Sequence, residues 1–326
     1  MDILPAFQVV RPVTLDDALK ARATHPNSRM VGGGTDLIVN IRRGIEAPPV
    51  LIDMNGIDEL RRIECDAGSI RVGASVTLAE LAEHPAVRKH FPVVAAAAGS
   101  IAGPTHRLMG TVGGNICLDT RCIFYNQSDW WRAANNHCLK TVGTMCHVAP
   151  KSKVCFATFS GDLAPAFLVL GGQVDIVGPS GKRTLELSEL YTGDGRSYLT
   201  LRPGEIVTAV HAKPGPGWRS DYGKVRVRQS IDYPVAGIAV AVKRSGDTLA
   251  AVQVAFTGTN PRPVRLAGIE ALCGKPLSED LLIQLDDLVR DQIMAMKTTF
   301  TQGMYRRRVA NVMAKRMLKA LFAQAG

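Results

Sequence analysis

The chain has 326 residues, 46% of them hydrophobic and 21% charged, with a net charge of +10 and a pI of about 9.4. That length allows two or more packed units. The composition excludes a disordered or collagen-like chain, and no apolar run approaches the ~18–20 residues of a membrane span. The N-terminus has no basic region leading into an apolar stretch, so no secretory leader is expected. An odd count of 7 cysteines without an export signal points to a reducing, cytoplasmic setting, with thiols free for metal rather than paired in disulfides.

The first ~55 residues alternate α and β. Thr14, with Asp16 and Asp17 behind it, predicts a capped helix start. A strand ending near Val31 runs into Gly32-Gly33-Gly34-Thr35-Asp36 and a short helix through Arg42, and Val50–Asp53 is a second strand. Strands follow around Ile63 and over 69–73. Thr77 and Glu80 form a capping box, and an alanine-rich helix covers about 93–102. Gly110–Asn115 is a second glycine loop. Residues ~118–160 then break the pattern: they hold Cys122, Cys138, Cys146 and Cys155 with no sustained periodicity. An irregular segment of ~40 residues in a compact domain needs a function or a metal to fold it. Regular structure resumes at Asp162, with a strand at 173–177.

From about residue 180 the texture changes. Strands are expected at 206–212, 235–243 and 249–257, the last two as a hairpin through Ser245-Gly246-Asp247. Helices over ~279–296 and ~303–323 end the chain. Much of the positive charge lies on the second of these, at Arg306, Arg307, Arg308, Lys315, Arg316 and Lys319, beside an apolar stripe of Val309, Val312, Met313, Met317 and Leu321. The solvated face of a packed helix accounts for it, and docking onto an acidic protein is the alternative. No nucleic-acid-binding motif accompanies the charge, so no nucleic-acid partner is expected.

Glycine loops bring backbone N–H groups close to an anion because no Cβ intervenes. The first loop is not a dinucleotide fingerprint, since Leu37 stands where the last glycine belongs. One such loop can be a tight turn; two of them, ~80 residues apart, favour a shared diphosphate.

Met30-Val-Gly-Gly-Gly-Thr-Asp-Leu37 and Thr111-Val-Gly-Gly-Asn-Ile116 resemble the paired FAD-binding loops of the flavoprotein subunits of the xanthine dehydrogenase and carbon monoxide dehydrogenase family. The resemblance extends to Gly161-Asp162-Leu-Ala-Pro-Ala, to Gly223-Lys224 and to Tyr305-Arg-Arg-Arg-Val-Ala, nearly the whole chain outside the irregular segment. It implies an α+β, PCMH-like FAD-binding fold: subdomains at 1–55 and 56–178, the second with an insertion at about 118–160, then a sheet-and-helix subdomain at 179–326. By position, Met30, Val31, Gly32, Gly33, Gly34, Thr35 and Asp36, with Thr111, Val112, Gly113, Gly114 and Asn115, would hold the FAD diphosphate. Asp162 would contact the ribityl or ribose region, Lys224 the flavin, and Ile101 the cofactor's apolar side. Neither loop contains a histidine, so the FAD is expected to be dissociable.

The four clustered cysteines are separated by fifteen, seven and eight residues, with no C-x₂-C pair. Soft thiolates in this number can hold zinc or an iron–sulfur cluster; four unrelated buried residues are the bland alternative. The insertion resembles that of the β subunits of 4-hydroxybenzoyl-CoA reductases, which implies a [4Fe–4S] cluster on Cys122, Cys138, Cys146 and Cys155. Cys117 reads as packing near the flavin, Cys65 and Cys273 as structural, and His137 and His147 as minor rival ligands. Phe124, Tyr125, Trp130 and Trp131 read as apolar cover for the cluster.

The resemblance further implies an electron-transfer subunit with no catalytic residues of its own. Its partners would be a molybdopterin-bearing large subunit and a [2Fe–2S] small subunit in a dimer of heterotrimers, with ferredoxin as donor, serving reductive dehydroxylation of 4-hydroxybenzoyl-CoA. Three alternatives stay open: a related molybdenum hydroxylase with outward electron flow, a stand-alone flavin oxidoreductase, and a zinc-stapled basic interaction module.

Overall fold

The computed structural model describes residues 4–228, 230–294 and 296–324. Met1–Ile3, at the start of the N-terminal segment read above, and Ala295, inside the helix predicted over ~279–296, lie outside them. Among the described residues, twelve strands make three sheets. The first is parallel, in the order β1–β3–β2, from Gln8–Val10 (β1), Arg29–Val31 (β2) and Val50–Asp53 (β3). The second is antiparallel, in the order β4–β5–β8–β6–β7. Its strands are Ile63–Cys65 (β4), Ile70–Gly73 (β5), Gln173–Gly178 (β6), Gly181–Glu186 (β7) and Ile206–Ala212 (β8). The third, also antiparallel, runs β12–β11–β10–β9 from Arg219–Val225 (β9), Ala236–Ser245 (β10), Thr248–Thr257 (β11) and Val264–Arg265 (β12). The fold is α+β.

Local chemistry sets the element ends. Thr14 Oγ1 accepts from the Asp17 amide and opens helix Leu15–Thr24, with Asp16 and Asp17 against the positive end of its dipole. Both halves of the Thr77–Glu80 capping box form at the head of helix Leu78–Glu83. The alanine-rich helix spans Pro92–Ser100, begun by a proline that loses nothing at a position without a partner for its N–H.

β10 joins two cores through its period of two. Ile238, Val240 and Val242 face helices Glu279–Gln292 and Gly303–Ala323, while Ala239 and Ala241 pack into the core of the second sheet. Large residues on one face and small ones on the other let the third unit lie close against the second. Each buried valine or isoleucine contributes about 1.5–3 kcal/mol.

Three expectations are revised. The texture change near residue 180 is not where the second sheet ends: β8 pairs with β5 and β6, so the sheet takes in the chain up to Ala212. Strands β7 and β9 carry polar residues on their outer faces and escaped the pattern reading. In helix Gly303–Ala323 the buried face is Arg306, Ala310, Ala314, Met317, Leu318 and Leu321, rotated from the predicted stripe. Arg306, read as part of a solvated face, is 1% exposed. Its guanidinium donates to the carbonyls of Val235 and Gly258 and to Thr298 Oγ1, and burial pulls its pKa down to about 10.

Candidate cofactor site

A cavity of about 730 Å³ runs between the first and second units and reaches the third, within the ~300–1,000 Å³ of small-molecule sites. The first glycine loop leaves β2 and forms one wall. Gly34 has φ of +68°, and the Asn55 amide group donates to the Gly32 carbonyl at 2.9 Å. A Cβ on Gly33 would stand 1.8 Å from the Met109 carbonyl oxygen, and one on Gly32 would stand 2.6 Å from Thr111 Oγ1. The glycines are therefore required for the two loops to press against each other. Among the described residues, the backbone N–H groups of Gly32, Gly33, Gly34, Thr35 and Asp36 have no acceptor in the chain, which leaves them to a ligand.

The second loop differs from its predicted form. It opens a short helix, Val112–Ile116, that Thr111 caps by accepting from the Gly114 amide. The amides of Val112 and Gly113 donate to the Val76 and Ala74 carbonyls, and that of Asn115 to Thr111. Val112 lies in the core, 1% exposed, and its side chain does not line the cavity. Thr111, Gly113, Gly114 and Asn115 do line it, as a wall whose amides at 112–115 are bonded within the chain.

Met30 to Asp36, Ile101, Asp162 and Lys224 all reach the same cavity. Lys224, on β9, donates to Asp162 Oδ2 at 3.0 Å and to the Ser100 carbonyl at 3.2 Å. Its side chain is 4% exposed and that of Asp162 3%, so a buried ion pair ties the second unit to the third. Tyr222 donates to the other Asp162 oxygen; burial and that carboxylate push its phenol well above its ordinary range. Asp36 pairs with Arg121 and accepts from the Tyr233 hydroxyl at 2.8 Å, and Arg121 lies 5.0 Å from the centre of the Tyr233 ring. Two buried polar atoms on the wall, Arg22 Nε and His106 Nδ1, have no partner in the chain.

The insertion brings its four cysteines together. Cys122, Cys138, Cys146 and Cys155 are 4–7% exposed and line one small pocket with Phe124, Tyr125, Lys140 and His147. Burial pushes the Cys122 thiol up to about 11 and that of Cys155 up to about 12, the latter against the opposing charge of Lys140. The free space is about 10 Å³. Among the described residues, no three His, Cys, Asp or Glu groups gather closely enough to hold a single ion.

Phe124 and Tyr125 cover the pocket as expected, and Trp131 packs against Phe124 with ring centres 6.3 Å apart. Trp130 does not: it is 78% exposed, because helix Asp129–Ala134 turns Arg132 inward instead. Cys117 lines the 730 Å³ cavity, where burial raises its thiol to about 12.

The FAD-binding domain of molybdopterin dehydrogenases matches residues 5–212, and the C-terminal domain of CO dehydrogenase flavoproteins matches residues 222–321. The FAD-binding subunit PaoB of an Escherichia coli aldehyde oxidoreductase is 30% identical over 97% of this chain and 100% of its own. The medium subunit of nicotine 6-hydroxylase from Paenarthrobacter nicotinovorans is 28% identical over 85% and 83%. A solved CO dehydrogenase from Oligotropha carboxidovorans superposes with a TM-score of 0.81 at 22% identity, covering 99% of this chain and 100% of that one. The chain is an FAD-binding subunit of the xanthine dehydrogenase and CO dehydrogenase family.

For such a subunit the 730 Å³ cavity fits its cofactor: it offers unpaired amides on one glycine loop, orphaned polar atoms on its wall and an apolar remainder. Sequence reasoning missed Asp119, Tyr198, Arg121 and Tyr233 around it. Arg121 had a local signal, being next to Cys122; Tyr198 and Tyr233 sit in irregular stretches that no periodicity marks. Among the described residues, no helix is long and apolar enough to cross a membrane.

Proposed function

We propose that this subunit is an electron relay carrying two redox groups, FAD in the large cavity and an iron–sulfur cluster, of the [4Fe–4S] type, on Cys122, Cys138, Cys146 and Cys155. The observation that carries the reading is the convergence of four buried cysteines, spread over an irregular segment, on one pocket. FAD, when bound, takes up electrons singly or in pairs, and the cluster takes them singly. The amides of Gly32–Asp36 would hold the diphosphate, with Thr111, Gly113 and Gly114 as the facing wall. Ile101 would pack on the apolar part of the cofactor, and the Asp162–Lys224 pair would fix its polar edge.

The partners on this reading are a molybdopterin-bearing large subunit and a [2Fe–2S] small subunit, assembled as a dimer of heterotrimers. The insertion favours a reductase of the 4-hydroxybenzoyl-CoA type, with ferredoxin feeding electrons inward for dehydroxylation on the large subunit. The aldehyde oxidoreductase relative favours a second reading, in which electrons flow outward from an oxidative large subunit. Both use the same two sites on this chain.

Anaerobic purification with iron, sulfide and flavin analysis tests the relay. About four iron and four sulfide per FAD are expected, and Cys138→Ser should lose iron and sulfide together while keeping FAD. Flavin with zinc, or with no metal, would remove the cluster and leave an ordinary hydroxylase flavoprotein subunit.

A further inference from the structure

Lys140 is one of the cations of the insertion whose side chains are buried, with Arg121 and Arg132. It lies between Cys138 and Cys146 in sequence and shares the pocket wall with all four cysteines. Its side chain is 4% exposed, and it reaches from the cysteine pocket to the first residues of the insertion and, beyond the insertion, to Gly195. There it donates to Asp119 Oδ1 at 2.8 Å, to Thr120 Oγ1 at 2.7 Å and to the Gly195 carbonyl at 2.6 Å. Those contacts use all three ammonium protons, so the charge is pinned in place. The ring of Tyr125, from the cysteine pocket, lies 4.8 Å from it, and the ring of Tyr198, from the flavin cavity, lies 5.3 Å from it. Asp119, 9% exposed at its side chain, lines the flavin cavity.

The ion pair therefore stands in the wall between the two sites, positive end toward the cysteines and negative end toward the flavin. As a fastener it is costly, because desolvating two charges offsets most of their attraction and an apolar pair of similar volume serves stability as well. What an apolar pair cannot supply is an oriented field in a low-dielectric wall. Reducing a thiolate-bound cluster adds one negative charge to the pocket without making or breaking a bond. A fixed cation beside it favours the reduced form, and an anion behind that cation weakens the effect.

We propose that Lys140 and Asp119 are positioning residues that set the reduction potential of the group held by the four cysteines, Lys140 raising it and Asp119 tempering it. The inference rests on the electron-relay reading above. The two residues make opposite predictions, which a purely structural role would not.

The test is a potentiometric titration of the anaerobically purified full-length chain, with dithionite as reductant and the EPR signal of the reduced cluster as readout. Iron, sulfide and FAD are measured on the same samples. Relative to wild type, Lys140→Met should shift the midpoint to lower potential and Asp119→Asn to higher potential. Unchanged midpoints, or shifts in the same direction, overturn the proposal. Should Lys140→Met lose its iron, the sign of the Asp119→Asn shift alone decides. A wild-type chain without iron and sulfide would instead defeat the relay reading, and this inference with it.

Discussion

The flavin cavity and the cysteine pocket lie side by side but are held open by different means. The cavity's walls hang from regular structure: β2 leads into one loop, the capped helix Val112–Ile116 carries the other, and Val112, Ile116 and Leu163 anchor them in a core at 0–1% exposure. The cysteine pocket has one short helix, Asp129–Ala134, an isolated bridge between Arg121 and Thr158, and an apolar cluster of which Cys122, Cys146 and Cys155 are themselves members. Ordering each residue of such a segment costs about 1–2 kcal/mol of backbone entropy, and little apolar burial is present to offset it. The first site is built by the fold; on the electron-relay reading proposed above, the second would complete its folding through the group it binds.

The largest effect expected from that difference comes from Gly33→Ala. The new Cβ meets a backbone carbonyl at 1.8 Å, and no rotamer change relieves a clash with backbone. One loop must retreat, at about 1–3 kcal/mol or more. The purified variant should lose FAD and melt several degrees lower while keeping its iron; full FAD content would show that contact between the loops is not what shapes the cavity. A smaller effect is expected in the insertion. Trypsin should cut at the exposed Lys151 and Lys153 about tenfold faster once iron is removed, a local destabilisation of about 1.4 kcal/mol, and removing FAD alone should not have that result. Equal cleavage with and without iron would mean that the insertion folds by itself.

The contrast also explains what was legible in the sequence. Periodic segments gave away their elements: the capping box at Thr77–Glu80, the hairpin of β10 and β11, and the helix Gly303–Ala323 all follow from local pattern. The glycine loops were visible because closeness of backbone to backbone demands a specific residue. The hydrogen-bond state of their amides was not, since it depends on Ala74 and Val76 from another segment. Arg306 looked like one charge among several, and only tertiary packing places three carbonyl oxygens around it. Lys140 and Asp119 are ordinary residues whose meaning lies in their contact with each other across an irregular segment and in the reach of Lys140 to Gly195 beyond it.

The smallest expected effect asks whether the rim of the flavin cavity owes its order to charge as well as packing. Arg183, on β7, grips Glu205 through two bonds of 2.7 Å, and the Arg202 amide donates to the same carboxylate at 2.7 Å. Glu205 lines the cavity, and the Arg183 hydrogen bonds hold its carboxyl below the usual value of 4.5. A carboxylate whose pKa is depressed on folding stabilises the native state above the unfolded value, and that contribution disappears as pH falls through the folded one. Arg183→Gln should therefore cost about 1 kcal/mol at neutral pH, and the gap to wild type should narrow below pH 4.5. Urea melts at pH 7 and at pH 3.5 would read this directly. A gap that stays constant across that range would assign the rim's order to packing alone, and would make the flavin cavity wholly a product of the sheets that frame it.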